Sequence, residues 1–505
     1  MRIPFPERIK PWHAGCFAAI LCLFELLEGT HPFFVLCVFA YIMTATVAFN
    51  LAGGLTRASG AYILFNALLG ILVSLCGKAV LWEPADATLR APTTTILVYT
   101  VSMMVFLFAI AVSRRLLPKV PLLERGDKAD DTRQIAVGCL AAGIGLAMMR
   151  LYVNTGYGSI GSAINQMAFF VPLGITLAVY DRIRTSGGRS SASITALVGC
   201  VYLVTLGGIL GTSKQGIFTP LAAYLVACGA LRYRFRLLGV ATLGMIMFVA
   251  VYYMVPYDQV VRNYTRNYTS FSDQIAGARY WLNHMDEVRT EYNFTTEEVA
   301  NSRGPRYFSE DRGFLERLGM IAMDDALIDI TDINGTFGLH PVAVAFENLI
   351  PHVIWRNKPD YDFNNTFAHE LGLLSYDDLT TGISFGPGAD AYHEAGWFGV
   401  LLVLPLVMLL LFTLVDSVTG DIRKTPWGLA FTVYFLHAAP EGCMGVCIGL
   451  TTIVFILVVT VYAARSFLPV IANIFLKERR RVFMVPRAHS FPKASALNAT
   501  TGDHE

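Results

Sequence analysis

Apolar residues in this chain come in long unbroken runs rather than at every second or third position. Twelve runs stand out, at 11–29, 31–53, 58–82, 93–113, 134–152, 163–180, 192–211, 215–231, 237–256, 396–416, 426–441 and 443–465. A bilayer core of about 30 Å needs roughly 20 apolar residues in a helix. None of the runs shows the period-2 alternation of a membrane barrel. The pattern predicts an all-α integral membrane protein of about twelve transmembrane helices. Composition agrees, with 54% apolar and 15% charged residues, against about 25% charged in soluble chains. The first run contains Glu25 and Glu28 and lacks a small-x-small site before Thr30. It is expected to stay as a helix and not to be removed as a signal.

The polar segments between the runs fix an orientation, because Lys and Arg favour cytoplasmic loops. Arg2, Arg8 and Lys10 precede the first run, and alternate connections then carry Arg57; Arg114, Arg115 and Lys119; Arg182, Arg184 and Arg189; Arg232, Arg234 and Arg236; Arg423 and Lys424. The tail adds Lys477, Arg479, Arg480 and Arg481. The opposite short connections hold chiefly Arg90 and Lys214. This asymmetry predicts an inner (plasma) membrane protein with both termini cytoplasmic. The expected divisions are an N-terminal bundle of about nine helices over 1–256, an extracytoplasmic loop domain over 257–395, about three C-terminal helices over 396–466, and a basic, partly disordered tail over 467–505. The loop is acidic, with Asp286-Glu287, Glu297-Glu298, Asp324-Asp325 and Asp377-Asp378, and helix-like apolar spacing near 272–290, 310–330 and 341–355. A folded insertion of this length is usually functional.

The nine cysteines all fall inside apolar runs, where cysteine behaves as a small buried hydrophobe, so neither disulfides nor a metal site are expected. Charge is sorted by region and forms no basic face, which leaves no nucleic-acid partner to expect. Soluble-enzyme motifs are absent: there is no Walker loop, dinucleotide fingerprint, His-Glu-x-x-His or nucleophile elbow. The Asn-x-Thr sequons at Asn263, Asn267, Asn293, Asn334 and Asn364 carry meaning only in a eukaryotic secretory pathway.

Chemistry is therefore sought among ionisable groups at helix ends, since charge in hydrocarbon is costly and faces a cavity or a partner. Glu25 and Lys78 sit at similar depth and read as a structural ion pair. Arg150 ends the fifth run, where snorkelling to the interface is the plain alternative. Lys214 lies in the tight turn Gly211-Thr-Ser-Lys-Gln-Gly216, which offers backbone N–H groups beside a cation, as anion sites do. A second cluster runs through His352, Trp355, Arg356 and Lys358, then His369 and Glu370. It ends in Gly386-Pro-Gly-Ala-Asp390-Ala-Tyr392-His-Glu394-Ala-Gly396-Trp-Phe-Gly399. Aromatics and cations around prolines suit a lipid phosphate beside a sugar, or equally an interfacial belt of aromatics with solvated charges.

The Arg-x-Lys-Pro run, the glycine-rich turn and the acidic-x-Tyr-x-x-x-Gly-x-x-Gly lead into a helix resemble bacterial O-antigen and oligosaccharide repeat-unit polymerases. Gly211-Thr-Ser-Lys214 is similar to a small-Ser-Arg/Lys element of that family, and Arg150 with Gly161 fits an Arg-to-Gly spacing found in some members. The acidic residue before Tyr392 is Asp390 where Glu is more usual, so Asp390 and Glu394 both remain open for its role. The resemblance implies a metal-independent glycosyltransferase without cofactors. It would move a growing glycan from an undecaprenyl-diphosphate carrier onto another lipid-linked repeat unit, on the periplasmic face. A chain-length regulator protein would be a natural partner. Cations must stabilise the departing diphosphate, with Arg150, Lys214, Arg356 and Lys358 as candidates and Tyr392 beside the substrate. A base must take the acceptor's proton; His369 is named first, with Glu370, Asp390 and Glu394 behind it. An O-antigen ligase would use nearly the same chemistry but lacks its expected Gly-x-x-Gly-Thr-Gly stretch here. A flippase or other transporter would instead show paired broken helices with polar groups at mid-membrane.

Overall fold

A computed structural model describes residues 2–126, 132–152, 169–265, 270–301, 304–310, 319–350, 355, 361–379 and 381–476. The described chain is helical throughout, with no strand beyond one isolated bridge between Arg2 and Arg234. In chain order the helices are α1 Pro11–Leu27, α2 Pro32–Ala52, α3 Ala58–Leu81, α4 Pro92–Leu116, α5 Thr132–Tyr152, α6 Phe170–Thr185, α7 Ile194–Leu210, α8 Lys214–Ala230 and α9 Leu237–Thr265. Then follow α10 Phe271–Asn283, α11 Met285–Asn301, α12 Ile321–Asn334, α13 His340–Glu347 and α14 Phe363–Glu370. The C-terminal part holds α15 Pro387–Thr419, α16 Trp427–Ala438, α17 Met444–Ser466 and α18 Leu468–Phe475. Each of the twelve apolar runs is mainly helical where it is described. Among the described residues, α2, α3, α4, α9, α15 and α17 are long and apolar enough to cross a membrane. Helices α1, α5, α7 and α16 are apolar but shorter.

Local chemistry sets many of the ends. Proline stands in the first turn of α1, α2, α4, α13, α15 and α18, where its missing N–H costs nothing and its fixed φ favours the start. Gly53 closes α2 at φ 95°, the left-handed cap that glycine adopts without strain. Helix α4 packs against α2 and α15, α3 against α2 and α16, and α17 against α15. At their centre the rings of Tyr62, Phe106, Phe412 and Phe435 meet edge to face, at centroid distances of 5.4 to 6.4 Å. Each such pair adds about 0.5–1.5 kcal/mol beyond area burial. Helices α5, α6, α7 and α8 pack on one another and join this group through α8 and α16. The first part of helix α9 stands apart, with Leu237, Leu238, Met245, Ile246 and Phe248 exposed, while Val255–Val261 packs against α11. An apolar face of this length matches a lipid contact.

The polar contacts gather at two ends. At one, Glu7 pairs with Arg232 and Arg423, the Ile422 N–H donates to Thr56, and the Arg465 guanidinium donates to the Leu123 carbonyl. These are the connections expected to face the cytoplasm. At the other end the 82–91 connection meets the long insertion. Thr88 donates to the Tyr307 carbonyl, and Arg90 N–H and Ala91 N–H donate to Asp325 at 2.6 and 3.1 Å. Glu25 and Lys78 are both fully buried here and converge on one turn. Glu25 Oε2 accepts from Thr30 Oγ1 at 2.9 Å and Ala85 N at 3.1 Å, while Lys78 Nζ donates to Pro84 O and Thr88 Oγ1 at 2.9 Å each. Lys78 also lies over the Tyr307 ring, 4.5 Å from its centroid, a contact worth more once desolvated.

Helix α12 differs most from its expected surroundings. The Asp324-Asp325 pair, an acidic cluster of the loop by sequence, is almost fully buried. The Gly70 carbonyl, within a π-helical turn over Leu68–Leu72 of α3, accepts from Met320 N at 3.1 Å. The start of α12 thereby reaches down among α3 and α4 instead of lying on top of them.

Candidate functional site

The site centres on the first half of α15, which begins nine residues before the predicted span. From Pro387 to Glu394 every residue is buried. The backbone then breaks at Ala395 (φ −146°, ψ 22°) and Gly396 (φ 59°, ψ −144°), and beyond it Trp397, Phe398, Leu401 and Leu402 turn outward. The Gly396 geometry is open almost only to glycine. The break frees two carbonyls: Phe337 N donates to His393 O at 2.9 Å and Gly338 N to Glu394 O at 2.8 Å. Gly399 lets the second half fold back closely, since a Cβ there would lie 1.9 Å from the Ala391 carbonyl oxygen. Both glycines of the sequence motif thus have a geometric reason.

The other motif positions tie this half-helix to its neighbours. Tyr392 donates its hydroxyl to Asp332 of α12 at 2.7 Å. Asp390 accepts from Met444 N at 2.7 Å, a carboxylate at the positive end of α17. Glu394 is buried, and its Oε2 has no hydrogen-bond partner among the described residues. His393, not singled out by sequence, is fully buried between the Phe337 and Phe367 rings. Its Nδ1 lies 2.8 Å from Thr331 Oγ1, and its Nε2 lies 3.3 Å from Glu370 Oε2.

The tautomer of His393 follows from its Thr331 contact. The Thr331 hydroxyl has a single hydrogen and donates it to the Leu327 carbonyl at 2.6 Å. It can then only accept from His393, so Nδ1 carries a hydrogen. A neutral imidazole leaves Nε2 bare; it approaches Glu370 Oε2 to 3.3 Å but makes no hydrogen bond among the described residues. Burial raises the Glu370 carboxyl above its ordinary value. With 28% of its side chain exposed, Glu370 is also the member of the row that solvent can reach. Thr331, His393 and Glu370 form a row from the interior to the surface.

His369, the leading candidate by sequence, points elsewhere. Its Nε2 lies 2.9 Å from the Asp378 carbonyl oxygen, which only accepts, so that nitrogen is protonated and Nδ1 is the one left for chemistry. Asn365 donates to the carbonyls of Asp378 and Thr381 at 3.0 and 2.7 Å, so His369 and Asn365 together staple α14 to the following loop. Lys214 is the first residue of α8. Its charge helps hold the buried Asp258 of α9, which also meets Arg262 at 3.0 Å. Arg262 in turn donates to the Thr212 carbonyl at 2.8 Å, so a second cation sits at the 211–214 turn. Arg356, Lys358 and the side chain of Arg150 lie outside the described residues.

Asp324 completes the inner wall. Its Oδ1 accepts from Gly386 N at 2.7 Å and its Oδ2 from the Tyr99 hydroxyl at 2.5 Å. It therefore links α12 to α4 and to the start of α15. Burial pushes its carboxyl from 3.8 up to about 7, while the Gly386 and Tyr99 bonds pull it down and Asp325 pushes it up. Asp390 also faces it from α15. An acid whose folded pKa exceeds its unfolded one stabilises the fold most while protonated. That contribution is complete below about pH 4 and is lost as pH rises to about 7, amounting to at most about 4 kcal/mol. We expect the thermal midpoint of the purified protein to fall between pH 5 and pH 8. Asp324→Asn should flatten that slope, and an equal slope in the variant would remove Asp324 as its source.

No family model, curated protein or solved structure matches this chain.

Proposed function

We propose that this chain is a polysaccharide polymerase of the plasma membrane, extending a glycan from an undecaprenyl-diphosphate carrier onto a second lipid-linked repeat unit. The observation that carries the reading is the Thr331–His393–Glu370 row, which places a solvent-reachable carboxyl in front of a buried imidazole. It sits in the segment whose sequence resembles the oligosaccharide repeat-unit polymerases. In the reaction, the acceptor hydroxyl oxygen bonds to the anomeric carbon and the bond to the diphosphate oxygen breaks with its electron pair. The hydroxyl proton passes to the Glu370 carboxylate. Lys214 and Arg262 are the described cations suited to the diphosphate, with Arg356 and Lys358 carried over from the sequence motif. The reading includes twelve spans with both termini cytoplasmic, and residues 257–395 outside.

The test is the fate of lipid-linked glycan in a strain lacking the gene. Single lipid-linked units should accumulate on the outer face while long polymer disappears. Polymer that is made but not attached to its final carrier would indicate the ligase. The transporter reading has one observation of its own: α15 is broken at Gly396, with acidic residues buried in its first half, as in carriers built on discontinuous helices. Units trapped on the cytoplasmic face would decide for it.

Sidedness is tested separately. In a cysteine-free background, a membrane-impermeant maleimide should label Tyr376→Cys in intact cells, since Tyr376 is 99% exposed. Arg184→Cys should label only after permeabilisation. The reverse result would put the Glu370 row out of reach of a periplasmic substrate.

A further inference from the structure

At the end of the bundle that holds Glu7, Arg232 and Arg423, two further arginines flank the turn closing α2. Gly53 ends that helix in the left-handed region, at φ 95°. A Cβ placed on it would lie 3.5 Å from Arg114 Nη2 and 3.6 Å from Arg57 Cδ, so both side chains pass over one spot. Arg114 belongs to the last turn of α4, and Arg57 stands just before α3. Both are half-buried. Arginine stays charged under all ordinary conditions, and like charges brought together repel. The arrangement needs a counter-charge.

The protein supplies only part of it. Asp416 of α15 is the carboxylate whose charge acts on both arginines. It is fully buried, however, and makes its hydrogen bonds to Ser59, accepting from N at 3.3 Å and from Oγ at 2.6 Å. Glu7 runs its backbone past Gly54, but its carboxylate is taken by Arg232 and Arg423. Arg114 Nη1 is shielded from solvent and has no hydrogen-bond partner among the described residues. Leaving a charged donor unmatched costs more than leaving a neutral one. One carboxylate thus stands against two guanidiniums, and a donor of the pair lacks an acceptor. A guanidinium fork meets phosphate oxygens in pairs, and two forks about one turn match the several oxygens of a single phosphate.

The surroundings indicate what carries that phosphate. Leu51 lies two residues before Gly53 and Leu116 two residues after Arg114, and they are 40% and 58% exposed. Helices α2 and α4, which pack together, are both long and apolar enough to cross a membrane. Exposed apolar side chains beside the cations give an acyl chain a surface to lie on, from which free phosphate gains nothing. Basic pockets between membrane helices attract anionic headgroups. We propose that Arg57 and Arg114 together hold the phosphate of one anionic phospholipid at this end of α2 and α4. The lipid supplies the negative charge that Asp416 alone does not, and it ties α2 to α4 and to the start of α3. The proposal is independent of what the Glu370 row catalyses, and its test involves no glycan.

The experiment is native mass spectrometry of the purified full-length protein, stripped of lipid in detergent and titrated with phosphatidylglycerol or with phosphatidylcholine of the same acyl chains. Both carry the phosphate, but choline cancels its charge. Wild type should take up a first phosphatidylglycerol roughly tenfold more tightly, or better, than phosphatidylcholine. Arg57→Gln and Arg114→Gln should each erase that preference, and Arg114→Lys, which keeps the charge without the fork, should retain part of it. Arg115→Gln removes an exposed neighbouring charge and should leave the preference intact. If Arg114→Gln does not purify as a monodisperse protein, Arg57→Gln and Arg114→Lys decide the question. Inorganic phosphate in excess should not displace the bound lipid; displacement would make free phosphate the ligand and overturn the lipid assignment. No preference in wild type, or one unchanged in Arg57→Gln, would overturn the proposal outright.

Discussion

Glu370→Gln should stop polymer extension while leaving the protein at its normal level in the membrane. The substitution keeps the shape and one acceptor oxygen but removes the group that gains and loses a proton. A positioned general base is worth about 10²–10⁴ in rate, so the ladder of glycan lengths should collapse towards single units. Stability should change little, because the side chain is partly exposed and lies 3.3 Å from His393 without a hydrogen bond to it. Glu370→Asp keeps the chemistry but withdraws the carboxyl from the imidazole, and partial activity is expected. Burial holds the Glu370 carboxyl above its ordinary 4.5. The acid limb of the wild-type pH–rate profile should therefore lie above that value, with activity lost as pH falls through it. His393→Asn separates two roles: its amide can still donate to Thr331 but cannot reach Glu370. Loss of activity at normal protein level would place His393 in proton handling, whereas activity near wild type would leave it as packing. A full-length ladder from Glu370→Gln, normalised to protein, would sink the catalytic reading altogether.

The helices of this protein are legible in the sequence because each bundle helix is a continuous apolar run, and hydrocarbon tolerates no other unpaired backbone. Runs 11–29 and 31–53, for example, become α1 and α2 within a few residues. The sorting of Arg and Lys was equally readable, and Glu7, Arg232 and Arg423 do meet at one end. The site was legible only in part. The acidic-x-Tyr-x-x-x-Gly-x-x-Gly motif marked the right segment, yet His393 inside it passed as filler, since nothing local shows that Thr331 and Glu370 will flank it. The burial of Asp324 is not legible in the sequence for a related reason. Charge pairs in an acidic loop normally face water, and only the distant partners Tyr99 and Gly386 make its burial tolerable. Those partners are separated from it by 225 and 62 positions, beyond the reach of any periodicity. The start of α15 was set at Gly396 because the apolar run begins there. The helix in fact starts at Pro387, as a buried half whose polar residues conceal it from a hydropathy reading.

That same glycine supports the most demanding structural prediction. Gly396→Ala should destabilise the protein and disable it together, by changing the path of the backbone and not by filling space. The nearest atom to an added Cβ is Thr336 Cγ2 at 3.5 Å, an ordinary contact, so no clash is involved. The cost lies in the conformation itself, at φ 59° and ψ −144°, where a side chain is strained by about 1–3 kcal/mol. Relief requires α15 to straighten. A straight helix would draw the carbonyls of His393 and Glu394 back into its own ladder, taking them from Phe337 N and Gly338 N, which they now accept from at 2.9 and 2.8 Å. The ring of His393 would swing with its backbone, away from Glu370. Activity should then fall further than Glu370→Asp alone produces, with a lower thermal midpoint. Gly449→Ala is the matched control, since a Cβ there meets nothing within 4 Å. In the middle of α17 that change should be neutral, or stabilising by about 0.5–1 kcal/mol. A Gly396→Ala protein as stable and as active as the Gly449→Ala control would show that the break is not held by this backbone geometry.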